Sequence, residues 1–142
     1  MILALKTANP ITEIYLLDQK GKIIAEKIWQ SERRLAKELL GEIETIIASI
    51  TRSDLRGGDI KSPLIRSDLT GLIVFTGPGS FTGLRIGITT MNTLTYGLNI
   101  PIIGTNGENW LQSGLKRLAN NENDRIITPQ YGAEANISKP KK

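Results

Sequence analysis

The sequence holds no cysteine and no histidine among its 142 residues. Without cysteine there are no disulfides, no thiolate nucleophile and no iron–sulfur ligation. Without either residue an ordinary zinc site is excluded as well. Ser-His-Asp and Cys-His mechanisms are also excluded, because both need an imidazole to move the proton. Aromatic residues are scarce at 5%, and they do not interleave with basic ones, so a freestanding RNA-binding surface built on base stacking has little support. No apolar run reaches the roughly 18 residues of a membrane-spanning helix. Met1-Ile2-Leu3-Ala4-Leu5 opens apolar, but Lys6 interrupts it, and it lacks the basic start and longer apolar region of a signal peptide. The expectation is a cytoplasmic protein with no membrane association. Carboxylates, lysines, hydroxyls and backbone amides are what remain for chemistry.

Hydrophobic residues make up 39% and charged residues 23% of the chain, a globular mixture of one domain's length. The formal charge of +4 is compatible with RNA nearby, and solubility alone explains it equally well.

One stretch organises the sequence. The apolar run Gly71-Leu72-Ile73-Val74-Phe75 reads as a buried strand. Leu84, Ile88, Met91, Thr95 and Leu98 then recur at helical spacing. Between them lies Thr76-Gly77-Pro78-Gly79-Ser80-Phe81-Thr82-Gly83, a strand-to-helix turn of the kind that often faces ligands in α/β proteins.

Around this stretch, residues 2–7, 13–18 and 22–29 read as three strands joined by short turns, an antiparallel meander. Ser31 is placed to cap a helix over about 32–50, whose apolar stripe of Leu35, Leu39, Ile43, Ile46 and Ile50 is widened by Ala36, Leu40 and Ile47. Residues 51–69 are polar and read as a long mobile loop, with a short extended piece at Leu64-Ile65. After the glycine turn and its helix, Pro101 to Gly104 reads as a strand, Asn106 as the cap of a helix carrying Trp110, Leu111, Leu115 and Leu118, and Arg125 to Thr128 as a final strand. The order β-β-β-α-β-α-β-α-β predicts an α/β fold, a mixed sheet with helices on both faces. It looks like a single lobe of the actin-like (ASKHA, ribonuclease H-like) fold. Residues 1–130 form the expected lobe and residues 131–142 a short polar, basic tail, its last five residues disordered.

The glycine stretch fits neither common phosphate template. A P-loop needs four residues between its glycines and then Gly-Lys-Ser/Thr; here five lie between Gly77 and Gly83, and Leu84 follows. A dinucleotide fingerprint needs its third glycine one residue earlier than Gly83. Amides at the helix start remain available to an anion, although Pro78 removes one donor. The structural alternative is a tight turn at Gly77 and Gly79, with Gly83 and Gly87 allowing close packing. Gly83, Gly87, Thr90 and Leu94 form a second stripe on the helix, so the expectation is that another helix, in this chain or a partner, approaches there.

Phe75-Thr76-Gly77-Pro78-Gly79-Ser80-Phe81-Thr82-Gly83-Leu84-Arg85-Ile86-Gly87 closely resembles the Gly-Pro-Gly-Ser-Phe-Thr-Gly-x-Arg-x-Gly signature of the TsaB (YeaZ) family, bacterial proteins of tRNA threonylcarbamoyladenosine biosynthesis. The opening residues 2–8 and Asn99-Ile100-Pro101-Ile102-Ile103-Gly104 also fit that family, so the resemblance covers about residues 1–130. It implies an actin-like lobe that catalyses nothing itself and uses no cofactor or metal. It implies docking to a related catalytic subunit, TsaD, through a four-helix arrangement. With the ATPase TsaE, the two would support threonylcarbamoyl transfer to an adenosine of tRNA, which this chain would meet only indirectly. Homodimers through the same helices are typical of the family. The residues carried over to a partner-binding role are Gly77, Pro78, Gly79, Ser80, Phe81, Thr82, Gly83, Arg85, Gly87 and Thr90. The helices at about 32–50 and 83–98 are the expected docking face.

Two departures stand out. Lys6 occupies a position where the family usually carries an acid, and a protonated lysine cannot ligate magnesium. The family's second lobe is absent from these residues, and with it an interlobe cleft. Arg85 is suited either to a partner carboxylate or phosphate, or to an internal ion pair. Ser80 and Thr82 read as helix-capping residues rather than nucleophiles, since no histidine is present to activate them. The competing functions are an actin-like ATPase or kinase, a glycoprotease-like enzyme, and a freestanding RNA-binding protein using the basic tail.

Overall fold

A computed structural model describes residues 1–131. The expected basic tail from residue 132 onward, including Ser138 to Lys142, lies outside the described residues. Strands β1 (Ile2–Lys6), β2 (Ile11–Leu17), β3 (Ile23–Gln30), β4 (Gly71–Phe75) and β5 (Ile102–Thr105) form one sheet in the order β3-β2-β1-β4-β5. The first three pair antiparallel, while β4 and β5 join β1 in parallel. This is the meander followed by βα units that the residue pattern predicts.

Among the described residues the α-helices are α1 (Leu35–Ala48), α2 (Arg52–Arg56), α3 (Phe81–Leu98) and α4 (Trp110–Ala119). Strand alternation sorts them. Gly71, Ile73 and Phe75 of β4 turn to one face, where they meet Leu118, Gly114 and Trp110 of α4. Leu72 and Val74 alternate with them and are fully buried on the other face, where α3 lies over β1 and β4 and packs against α1. The all-buried β4 is a continuous apolar run because both its faces are covered. The expected actin-like arrangement, a mixed sheet with helices on both faces, is therefore what forms.

Several local expectations are corrected. Ser31 does not cap a helix; its hydroxyl is buried, 2.6 Å from Thr12 Oγ1, and a single 3-10 turn at Glu32–Arg34 precedes α1. The stretch 51–69 is more than a mobile loop. Thr51 and Asp54 form a reciprocal capping box on α2, Thr51 bridges Pro63, and Arg52 pairs with Asp68 at 3.0 Å. Asn106 does not cap α4; its amide donates to Gln130 Oε1 at 3.0 Å.

The predicted final strand does not form either. Asn121 and Arg125 adopt positive φ (62° and 72°), which breaks an extended path. Side chains finish the sheet edge instead. Asn123 Oδ1 accepts the Ile102 N–H and Asp124 Oδ2 accepts the Gly104 N–H, while the Asp124 N–H donates to the Ile102 carbonyl. The donors of edge strand β5 are thereby occupied without a sixth strand.

Candidate functional site

The glycine turn rises from the end of β4. The Thr76 N–H donates to the Thr105 carbonyl at 2.8 Å, and the Gln130 N–H donates to the Thr76 carbonyl at 2.7 Å. Gly77 sits at φ +121°, joined to Pro78 by a cis peptide. A side chain there would strike the Gln130 carbonyl, so both the dihedral and the space require glycine. A Cβ at Gly79 would lie 2.5 Å from the Ala8 carbonyl, which accepts the Ser80 N–H at 2.6 Å. Ser80 Oγ accepts the Gly83 N–H at 3.3 Å and caps α3, as its position in the sequence suggests.

The two helix glycines look inward. A Cβ on Gly83 would fall within 3.0 Å of the Thr7 carbonyl, and one on Gly87 within 3.0 Å of the Thr7 hydroxyl. Thr7 is fully buried, and its hydroxyl donates to the Gly83 carbonyl at 2.7 Å. The small-residue stripe thus lets α3 settle onto the end of β1. Of that stripe, Leu94 is also buried and Thr90 alone reaches the outer face. Helical spacing shows which residues share a side, but not what lies against it.

The outer face belongs to other residues. Thr82, Arg85, Ile86, Thr89 and Thr90 of α3 and Ala36 of α1 line a hollow of about 420 Å³. Leu40, one turn beyond Ala36 on α1, is 49% exposed. The excess of apolar positions on α1 was the sequence signal for this second face.

Arg85 pairs with no carboxylate among the described residues; its guanidinium lies 5.3 Å from the centre of the Phe81 ring. Phe81 in turn packs against Tyr131, with ring centres 4.5 Å apart, and remains 49% exposed. This Arg85–Phe81–Tyr131 column is invisible in the sequence, where its ends are 46 residues apart. Lys6 is occupied in a similar way, with Nζ 4.5 Å from the Phe75 ring centre. Pro78 is exposed on the turn, and the exposed Thr82 lines the hollow. Of the ten sequence-selected residues, Gly77, Gly79, Gly83 and Gly87 shape the turn and the seating of α3. Phe81, Thr82, Arg85 and Thr90 reach a surface.

An ion-pair cluster holds the segment after α4 to the edge of the sheet. Arg117 pairs with Glu122 at 2.7 Å and with Asp124, and also donates to the Gly104 carbonyl at 3.2 Å. Burial pushes the Asp124 carboxyl up. Hydrogen bonds from Arg117 and the Gly104 N–H, with the guanidinium charge, outweigh it and hold the group below the ordinary carboxylate range. Asn92 of α3 clips the same segment from the other side, its amide donating to the Ile127 carbonyl and accepting the Ile127 N–H, both at 2.9 Å.

Residues 61–123 match the family model described as TsaD: tRNA N6-adenosine threonylcarbamoyltransferase. Over 134 residues the chain is 30% identical to the tRNA threonylcarbamoyladenosine biosynthesis protein TsaB of Bacillus subtilis, covering 93% of this chain and 50% of that protein. A 46-residue segment, 32% of this chain and 14% of the relative, is 46% identical to a tRNA N6-adenosine threonylcarbamoyltransferase of Geotalea daltonii. Among solved structures, YeaZ from Pseudomonas aeruginosa superposes with a TM-score of 0.57 at 25% identity, over 74% of this chain and 43% of YeaZ. The chain thus spans about half the length of the relatives it matches along most of its own. The signature around Gly77 to Gly87, the mixed sheet and these similarities agree: the chain is similar to about half of a TsaB (YeaZ) protein in sequence and fold.

Proposed function

We propose that this chain is a non-catalytic docking subunit in the formation of threonylcarbamoyladenosine in tRNA. In this reading the face shared by α1 and α3 seats a TsaD-type catalytic subunit, with a TsaE-type ATPase in the same assembly. A second copy of the chain competes for the same face. The observation that carries the reading is the exposed, largely uncharged surface formed by Ala36 and Leu40 on α1 and by Ile86, Thr89 and Thr90 on α3, with Arg85 and Phe81 at its end. Such a patch on adjacent helices suits helix-on-helix packing, and small residues permit close approach. The glycine turn acts indirectly, by fixing where α3 lies.

A catalytic role draws little support from the side chains present. Ser80 Oγ is engaged as a helix cap, and there is no histidine or cysteine to activate a nucleophile. The test is reconstitution. Purified TsaD-type and TsaE-type proteins of the same source are assayed for threonylcarbamoyladenosine in tRNA with and without this chain. Product that depends on the chain, with none formed by the chain alone, supports the proposal. Equal product in its absence, or turnover by the chain alone, overturns it.

A further inference from the structure

We infer that a cleft at the opposite end of the sheet from the glycine turn binds a phosphate group carried on a small organic moiety or on RNA. The cleft has a volume of about 430 Å³ and opens between the β2–β3 turn, the start of β4 and the end of α4. That is the size of a small-molecule site. Its charged lining consists of Lys20 and Lys116, with no carboxylate among the lining residues.

Three acids lie near the cleft: Glu122, Asp124 and Asp18. Glu122 and Asp124 both pair with Arg117, the residue after Lys116. Asp18, in the β2–β3 turn, accepts the backbone N–H groups of Lys20 and Lys22 through Oδ1, each at 2.9 Å. Among the described residues neither Lys20 nor Lys116 forms an ion pair. Two lysine side chains therefore line one cleft, with the Asp18 carboxylate near Lys20 and no ion pair to either lysine among the described residues. Lysine serves as a point-charge binder of phosphate.

Other groups frame the rim. The Gln19 amide donates to Thr70 Oγ1 at 2.7 Å, which fixes that rim, and the Met1 ammonium lies 3.3 Å from the same hydroxyl. The C-terminal end of α4 opposes an anion through its dipole. Its last carbonyls are already taken, however: those of Lys116, Arg117 and Leu118 accept the N–H groups of Asn120, Asn121 and Glu122. Pro101, Leu115 and Leu118 supply apolar walls for the part of the ligand that carries no charge.

This cleft is remote from the α1–α3 face, so the inference stands or falls independently of the docking proposal. The test is an amide NMR titration of the full chain with ribose 5-phosphate, with ribose and sodium chloride as controls and an unmodified tRNA as a separate arm. Expected are saturable shifts at Gly21, Gly71 and Asn121 with ribose 5-phosphate and none with ribose. The double variant Lys20→Gln/Lys116→Gln weakens binding at least about tenfold, and Lys37→Gln, on α1, leaves it unchanged. The replaced lysines are exposed, so an unaltered melting temperature certifies the fold. tRNA that shifts the same amides and displaces ribose 5-phosphate identifies an RNA phosphate as the source; tRNA without effect identifies a free phosphorylated ligand. Shifts that do not saturate, or that persist undiminished in the double variant, overturn the inference.

Discussion

Gly87→Ala is the sharpest test of how α3 is seated. The new Cβ would lie 2.9 Å from Thr7 Cγ2, 3.1 Å from Thr7 Cβ and closer still to Thr7 Oγ1. Thr7 cannot simply swing away, because it is fully buried and its hydroxyl holds the Gly83 carbonyl at 2.7 Å. Overpacking of this kind costs about 1–3 kcal/mol, and displacing the hydroxyl adds about 1 kcal/mol for the hydrogen bond. The gain in helix propensity from glycine to alanine returns about 1 kcal/mol. The net destabilisation is about 1–3 kcal/mol, a fall in Tm of roughly 3–9 °C at this chain length. Thermal unfolding followed by circular dichroism measures it. Gly97→Ala, on the same helix with open space around its Cβ, provides the control and should hold or raise Tm. Thr7→Ala removes the obstructing atoms, so Gly87→Ala should cost at least about 1 kcal/mol less in that background. A Gly87→Ala protein that melts at or above wild type, or a cost unchanged by Thr7→Ala, would refute the account of the stripe.

Two further predictions concern the segment that closes the far edge, and a third the cap of α3. Asp124 has a folded pKa below its unfolded value, so its contribution to stability is present above about pH 4 and disappears as pH falls through the folded value. Asp124→Asn should therefore destabilise by about 1–2 kcal/mol near neutrality, with the gap to wild type closing below about pH 4 in urea melts; a gap that is constant with pH would contradict the pairing. Asn92→Ala removes both clips on Ile127 and should lower stability by about 1–3 kcal/mol. Hydrogen exchange reads the local effect, as lost protection at the Ile127 amide, and unchanged protection there would argue against the clip. Ser80→Ala removes the α3 cap, and a loss of about 1 kcal/mol is expected in the same melts.

Much of the fold was legible because it is local. The run from Gly71 to Phe75 announces a strand covered on both faces, and the spacing from Leu84 to Leu98 announces the helix after it. Ser80 carries a capping signal within three residues of the amide it satisfies. The seating of α3 was not legible, because the partner of Gly83 and Gly87 is Thr7, on the first strand. Nor was the end of the lobe. Arg125 to Thr128 has strand-like composition, but Asn92, Asn123 and Asp124 satisfy the backbone there through side chains, which no periodicity reports. The site divides in the same way. The motif marks α3, while the surface beside α3 is shared with Ala36 and Leu40 on a helix more than 30 residues earlier.

The central claim is that the α1–α3 face docks a TsaD-type subunit. Isothermal titration of that subunit into this chain, wild type against Leu40→Glu, tests it most directly. Leu40 is half exposed, so the substitution places a charge in the face without opening the core. A buried unpaired carboxylate should weaken binding by at least about tenfold while Tm stays within about 2 °C of wild type. Equal affinity for the two proteins, at equal Tm, would place the interface elsewhere.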